Sequence, residues 1–128
     1  ILKEKVARNV LKHRRRFRAL VLVADQSPGE RDNVYWTDWL NQPTAFFTGP
    51  ATIAQLMHFP VMFARCRRKS RGRYHLSLIP IVETPGQLTE EGIIEAYIRA
   101  AEETIRDEPE SFLWSNRRWK HQPPAGQA

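Results

Sequence analysis

The sequence predicts an α/β fold, a sheet flanked by helices, with elements in the order helix, strand, helix, strand, strand, helix. Three observations carry that prediction. The run Ala19-Leu20-Val21-Leu22-Val23-Ala24 is uninterrupted and aliphatic, as in a strand covered on both faces. Tyr74, Leu76 and Leu78 alternate with His75 and Ser77, the two-residue period of a strand. Ile93, Ile94, Tyr97, Ile98, Ala101 and Ile105 recur at helical spacing and form an apolar stripe. At 128 residues the chain has room for one core.

Each element has its own signal. Leu2 to Phe17 places Val6, Val10 and Leu11 among charges as an amphipathic helix, ending in cations that suit its C-terminal dipole. The strand at 19–24 stops at Asp25. From Asp25 to Gln42 the breakers Ser27-Pro28-Gly29, Asp32-Asn33 and Asn41-Gln42-Pro43 predict a long loop. That loop carries Tyr35, Trp36, Trp39 and Leu40, large side chains that need a partner surface, as in a lid or pocket wall. Thr48-Gly49-Pro50 supplies a cap and a first-turn proline for a short helix with Ile53, Ala54, Leu56 and Met57 inward, closed by Pro60. Val61 to Ala64 and Arg73 to Val82 predict two strands of a hairpin, joined by a basic turn from Arg65 to Gly72. Thr89, with Glu90 and Glu91 behind it, caps the striped helix, and Pro109 ends it. Phe112, Leu113, Trp114 and Trp119 predict a short docked element. Residues 1–122 are expected to form one unit and 123–128 a disordered tail.

Composition narrows the function classes. A single cysteine, Cys66, leaves no disulfide framework and no cysteine-rich zinc site; it fits a reducing compartment or a buried small apolar position. No apolar run reaches the roughly 18 residues of a membrane-spanning helix, and no signal peptide opens the chain. The first residue, Ile1, falls inside the predicted helix, so the chain is expected to be a fragment. The net charge of +6 is unevenly spread. Lys12, Arg14, Arg15, Arg16 and Arg18 form one basic cluster; Arg65, Arg67, Arg68, Lys69, Arg71 and Arg73 a second; Arg117, Arg118 and Lys120 a third. Seven of the 14 acids lie between Glu90 and Glu108. Such basic clusters suit phosphates of nucleic acid, anionic lipid headgroups, or water alone.

The residues show no catalytic machinery of their own. A histidine acting as general base needs an orienting acid, yet five positions after His13, His58, His75 and His121 stand Arg18, Phe63, Pro80 and Gly126. No nucleophile elbow, phosphate-binding glycine loop, dinucleotide fingerprint or metal-ligand spacing is present. No metal or cofactor is expected.

Three segments break the impasse: Ala24-Asp25-Gln26-Ser27-Pro28, Phe46-Phe47-Thr48-Gly49-Pro50, and Pro109-Glu110 running through Trp114 to Arg117-Arg118-Trp119-Lys120. Together they resemble the C-terminal part of the bacterial lipid A biosynthesis (lauroyl/myristoyl) acyltransferases, within the lysophospholipid acyltransferase-like superfamily. The resemblance covers about residues 1–122. In that family a strand ends in Asp, a Phe-x-Gly leads into a helix, and the chain closes on Pro-Glu-x-x-x-Trp-x-x-Arg-Arg-x-Lys. Asn116 departs from it, standing where a histidine is common. The family's His-x-x-x-x-Asp/Glu base motif is also absent, which the resemblance explains by placing it upstream, after an N-terminal membrane anchor.

The resemblance therefore implies a partial glycerolipid-acyltransferase-like mixed sheet whose N-terminal part is missing. It also implies a parent enzyme on the cytoplasmic face of the bacterial inner membrane, the fragment itself being soluble and inactive. The parent would transfer a fatty acyl group from an acyl-carrier protein or acyl-coenzyme A to a hydroxyl of a glycolipid, a lipid A precursor. Asp25 and Gln26 would handle ligand at a strand end, where α/β folds open their crevice, although Asp25 also suits a turn. Phe47 and Gly49, with Phe46, Trp36 and Trp39, would wall an acyl groove or simply pack in the core. Arg117, Arg118 and Lys120 would bind phosphates. The cations of Arg65 to Arg73 would meet an anionic bilayer or remain a solvated hairpin tip. The rival readings are a basic nucleic-acid-binding module and a non-catalytic acyltransferase-like domain. Against the first, no nucleic-acid-binding signature is present and the loop aromatics lie apart from the basic turns, so no nucleic-acid partner is expected.

Overall fold

The computed structural model describes residues 6–13, 15, 19–30, 32–84, 86 and 88–123. In chain order its elements are α1 (Val6–Lys12), β1 (Val34–Trp39), β2 (Gln42–Phe47), α2 (Gly49–Met57), β3 (Val61–Ser70), β4 (Arg73–Val82) and α3 (Glu90–Asp107), followed by a 3-10 turn at Pro109–Ser111. The strands form two separate antiparallel hairpins, β1–β2 and β3–β4, so the class is mixed α/β.

α3 organises the rest, as its sequence signal foretells. Thr89 Oγ1 accepts the Gly92 amide at 3.1 Å, and Glu90 and Glu91 meet the positive end of the helix dipole. Its stripe buries Ile93, Ile94, Ile98, Ala101 and Ile105. The stripe packs into one core with Trp39, Phe46, Ala51, Ala54 and Val82, which come from β1, β2, α2 and β4. Each buried isoleucine contributes about 1.5–3 kcal/mol, so one helix holds both hairpins and α2 together. Thr52 Oγ1 adds a hydrogen bond of 2.7 Å to Glu90, tying the start of α2 to the start of α3.

The second half of the region expected as a long aromatic loop, from Val34 on, is instead part of the β1–β2 hairpin. Its register pairs Tyr35 with Phe46 and Trp39 with Gln42, leaving Leu40 and Asn41 as a two-residue turn. Both have positive φ, 53° and 62°, the geometry whose twist matches the flanking strands. Asparagine tolerates that region and leucine does not, so the usual Asn-Gly signal is missing from the sequence.

The basic turn from Arg65 to Gly72 is a second correction. Ser70 pairs with Arg73, so β3 runs on to Ser70 and the true turn is Arg71–Gly72, with Gly72 at φ 74°. Arginine sustains the strand because α3 ends alongside it. Arg67 reaches Asp107 at 2.9 Å and Glu108 at 3.2 Å, and Arg65 also pairs with Asp107.

Third, residues 19–24 form no strand: Val21 is 90% and Val23 74% exposed. A strand apolar on both faces needs neighbours on both edges, and none of the described residues pairs with it. Of the first predicted helix, α1 realises the middle; Leu2–Lys5, Arg14 and 16–18 lie outside the described residues. Thr48 precedes α2 as expected, but its hydroxyl caps nothing; the chain is already helical there, at φ −79° and ψ −19°. Cys66 is exposed rather than buried, because it alternates with the inward Arg65 and Arg67. Of the expected tail, 124–128 lie outside the described residues.

Candidate functional site

The closing segment reaches the core by a series of tight local bonds. After α3 the 3-10 turn is locked by Ser111 Oγ donating to Glu108 O at 2.8 Å and Trp114 Nε1 donating to Pro109 O at 2.7 Å. Phe112 packs edge-on to both Trp39 and Trp114, with centroids 5.9 and 4.9 Å away. The chain then turns at Leu113–Asn116 and lays residues 117–121 across β2 as a strap. Trp119 Nε1 donates to Thr44 Oγ1 at 2.8 Å, and the same indole stacks obliquely on Trp39 at 6.1 Å.

The strap's other edge meets the segment following the aliphatic run. Ser27 Oγ donates to the carbonyls of Arg118 and, at 3.3 Å, Arg117. The His121 imidazole shares a hydrogen bond of 2.9 Å with the Pro28 carbonyl through Nε2, which must carry the proton there. The strand-end motif and the closing motif are thus brought together, although about 90 residues of chain separate them.

Arg118 lies at the centre of this junction and is 2% exposed. Its Nη2 donates to the Ala45 carbonyl at 2.8 Å, and its guanidinium sits 4.6 Å from the Phe46 ring centroid and 5.5 Å from that of Trp39. The cation therefore rests on two ring faces, an interaction that strengthens once water is excluded. Among the described residues no carboxylate forms an ion pair with it, and its Nε has no hydrogen-bond partner. Burial lowers its pKa, against which Tyr97 and Asp25 act. Burial likewise pushes the Tyr97 phenol well above its ordinary value; the charge of Asp25 adds to that shift and Arg118 opposes it. The space bounded by Pro43, Thr44, Ala45, Arg118, Trp119 and His121 admits no water-sized sphere, so Arg118 works inside packed protein.

The other expected site residues fall into two places. Asp25 and Gln26 are exposed in a bend just ahead of Ser27, and Arg117 and Lys120 are exposed on the strap beside buried Arg118. Phe47 and Gly49 lie at the far end of β2, where the Phe47 ring folds over the glycine. A β-carbon on Gly49 would come within 2.2 Å of Phe47 Cζ, so the Phe-x-Gly spacing lets the ring cover the start of α2. Of the aromatics expected around a groove, Trp39 and Phe46 are 1% exposed and belong to the core. Trp36 and Phe47 are half-buried and share the opposite face of the hairpin with Val34.

Three residues of the junction carry no role in the sequence reading: Ser27, Thr44 and His121. Ser27 sits in a motif but gives no sign of its distant partner, and Thr44 follows Pro43 in a stretch to which the sequence reading assigns no element. Among the described residues no histidine hydrogen-bonds a carboxylate, no group of His, Cys, Asp and Glu is arranged to hold a metal ion, and no helix is long and apolar enough to cross a membrane.

A family model described as bacterial lipid A biosynthesis acyltransferase matches residues 2–121. No curated protein and no solved structure matches the chain.

Proposed function

Because the chain belongs to the bacterial lipid A biosynthesis acyltransferase family, we propose that it forms the acceptor-handling part of an acyltransferase whose general base lies outside these 128 residues. In the reaction a hydroxyl of a lipid A precursor attacks the carbonyl of an acyl thioester and gives up its proton to the base, and the thiol leaves. The donor is an acyl-carrier protein or acyl-coenzyme A, and the parent works at the cytoplasmic face of the bacterial inner membrane. The observation that carries this reading is the strap junction. Ser27 and Pro28 hold 117–121 so that Arg117 and Lys120 face solvent on either side of an immobilised Arg118, beside Asp25 and Gln26.

Two exposed cations at the mouth of such a junction suit the phosphates of a glycolipid or of the carrier's phosphopantetheine arm. Arg118 is a positioning residue: its charge is spent on Ala45 and two rings, and it fixes where its neighbours point. Trp36 and Phe47 offer apolar surface to the acyl chain, for which each buried CH₂ is worth about 0.8 kcal/mol.

The test is acyl transfer by the parent protein in membranes, given an acyl thioester and a lipid A precursor. Arg117→Ala with Lys120→Ala is expected to lower kcat/KM roughly 10- to 100-fold, as for lost hydrogen bonds to a charged group. Unchanged transfer by the folded variant refutes the phosphate role. The 128-residue chain alone is expected to transfer nothing; turnover by it would overturn the placement of the base.

A further inference from the structure

Between the tip of the β3–β4 hairpin and the turn that follows α3 lies a cleft of about 370 Å³. Arg68, Lys69, Ser70 and Arg71 line it from the hairpin; Glu108, Glu110 and Ser111 line it from the end of α3. In a regular strand consecutive side chains point to opposite faces, so four successive residues could not share one cleft. Here the ladder breaks: Arg68 pairs with Tyr74 and Ser70 with Arg73, leaving Lys69 with no partner across the hairpin. This bulge re-aims the strand just ahead of the Arg71–Gly72 turn. Both sides are also held in place. Arg67 bonds Asp107 at 2.9 Å and Glu108 at 3.2 Å, pinning the hairpin to the end of α3. Ser111 Oγ donates to the Glu108 carbonyl at 2.8 Å and Trp114 Nε1 to the Pro109 carbonyl at 2.7 Å, which fixes the turn carrying Glu110. Polar groups fixed in advance lose little entropy when a ligand arrives.

The chemistry of the lining says what the cleft suits. Glu108 is committed to Arg67, and among the described residues Arg68, Lys69, Arg71 and Glu110 have no ion-pair partner. Three free cations therefore meet one free carboxylate. The cations, with the Ser70 hydroxyl, match the several oxygens of a phosphate dianion better than the two of a carboxylate. Glu110 would repel that phosphate and needs a donor, such as a hydroxyl, on the same molecule; Ser111, whose hydrogen is already engaged, can accept a second. No lining residue is aromatic or purely aliphatic, which removes the stacking a nucleobase uses and the apolar walls an acyl chain needs. Ligand sites run from roughly 300 to 1,000 Å³, so this cleft has room for one sugar ring and its phosphate. We propose that it binds a small, water-soluble phosphorylated polyol of the hexose phosphate class, with the phosphate on Arg68, Lys69 and Arg71 and hydroxyls on Glu110 and Ser111. None of these residues belongs to the strap junction, so the site is independent of the acyl-transfer reading.

Calorimetric titration with glucose 6-phosphate, glucose and inorganic phosphate tests the site. Glucose 6-phosphate is expected to bind at least about 10-fold more tightly than either of the others, because only it engages both sides of the cleft. Lys69→Gln with Arg71→Gln is expected to weaken it by about 10-fold or more. Glu110→Ala separates a built site from a basic patch. A patch holds any anion more tightly once a neighbouring carboxylate is gone; here glucose 6-phosphate should weaken about 10-fold while inorganic phosphate holds or gains. All three substituted residues are exposed, and circular dichroism checks the fold. Equal affinity for glucose 6-phosphate and inorganic phosphate, tighter glucose 6-phosphate binding by Glu110→Ala, or no binding at all would each overturn the proposal. So would binding confined to detergent micelles of phosphatidylinositol 4-phosphate, which carry a polyol phosphate on a lipid.

Discussion

The Ser27 hydroxyl donates to the backbone carbonyl of Arg118, joining residues 91 positions apart and clamping the strap whose side chain fills the centre of the junction. Ser27→Ala is expected to cost about 1 kcal/mol, the usual net worth of such a bond. It should also speed tryptic cleavage after exposed Lys120 severalfold, because the strap then opens without global unfolding. An unaltered cleavage rate would remove Ser27 from this role.

Arg118→Ala removes a cation from two ring faces and strands the Ala45 carbonyl, leaving a void in packed protein. The expected loss is roughly 3–4 kcal/mol in urea unfolding. Arg118→Met fills the space without the charge and should cost no more than about 2 kcal/mol. If both variants unfold at the same denaturant concentration, packing is not what Arg118 supplies.

Gly49→Ala sets two effects against each other. Alanine favours a helix by up to about 1 kcal/mol, but its β-carbon would overlap the Phe47 ring, which must then move. Overlap wins, and a net destabilisation of about 1–2 kcal/mol is expected. Phe47→Leu in the same chain should restore part of it, a coupling that a double-mutant cycle reads directly.

Tyr97 gives the fold an alkaline limit. Its phenol titrates higher in the folded protein than its ordinary value of 10.0. Below that value both states hold the proton and the contribution to stability is complete. Above it the unfolded chain releases its proton while the folded one retains it, so stability falls as pH rises toward the folded pKa. Tyr35, raised chiefly by its hydrogen bond to Glu95, acts in the same direction. Thermal melts above pH 10 should show Tyr97→Phe losing less stability with pH than the parent; parallel curves would contradict this.

Much of the fold was legible where one short segment contains its own reasons. The Thr89 cap, the isoleucine stripe and Pro109 delimit α3 with no outside help, and Gly49–Met57 and Arg73–Val82 are nearly as self-sufficient. The misses share a cause, which is a partner elsewhere in the chain. Arg65 and Arg67 read as a turn until Asp107 and Glu108 are seen beside them. The β1–β2 hairpin is concealed by Leu40 in a conformation that leucine normally avoids. The run at 19–24 has strand composition but pairs with no strand among the described residues, and composition alone forms no ladder. The same holds for the site. Asp25, Arg117 and Lys120 stand out through family-like spacing, whereas Ser27, Thr44 and His121 have meaning only once the strap is laid across β2.

The strap also sets an order of events at the ribosome. Trp39 and Phe46 leave the exit tunnel with β1 and β2, and α3 can fold on its local signals soon afterwards. The lid over those two rings is Arg118 and Trp119, which are translated some 70 residues later. Nascent chains grow at about 5–20 residues per second. For several seconds, then, Trp39 and Phe46 wait for part of their cover to be made. A chain ending just before Arg117 would thus keep α1 to α3 and both hairpins but lack the strap over Trp39 and Phe46, a form suited to chaperone capture and degradation.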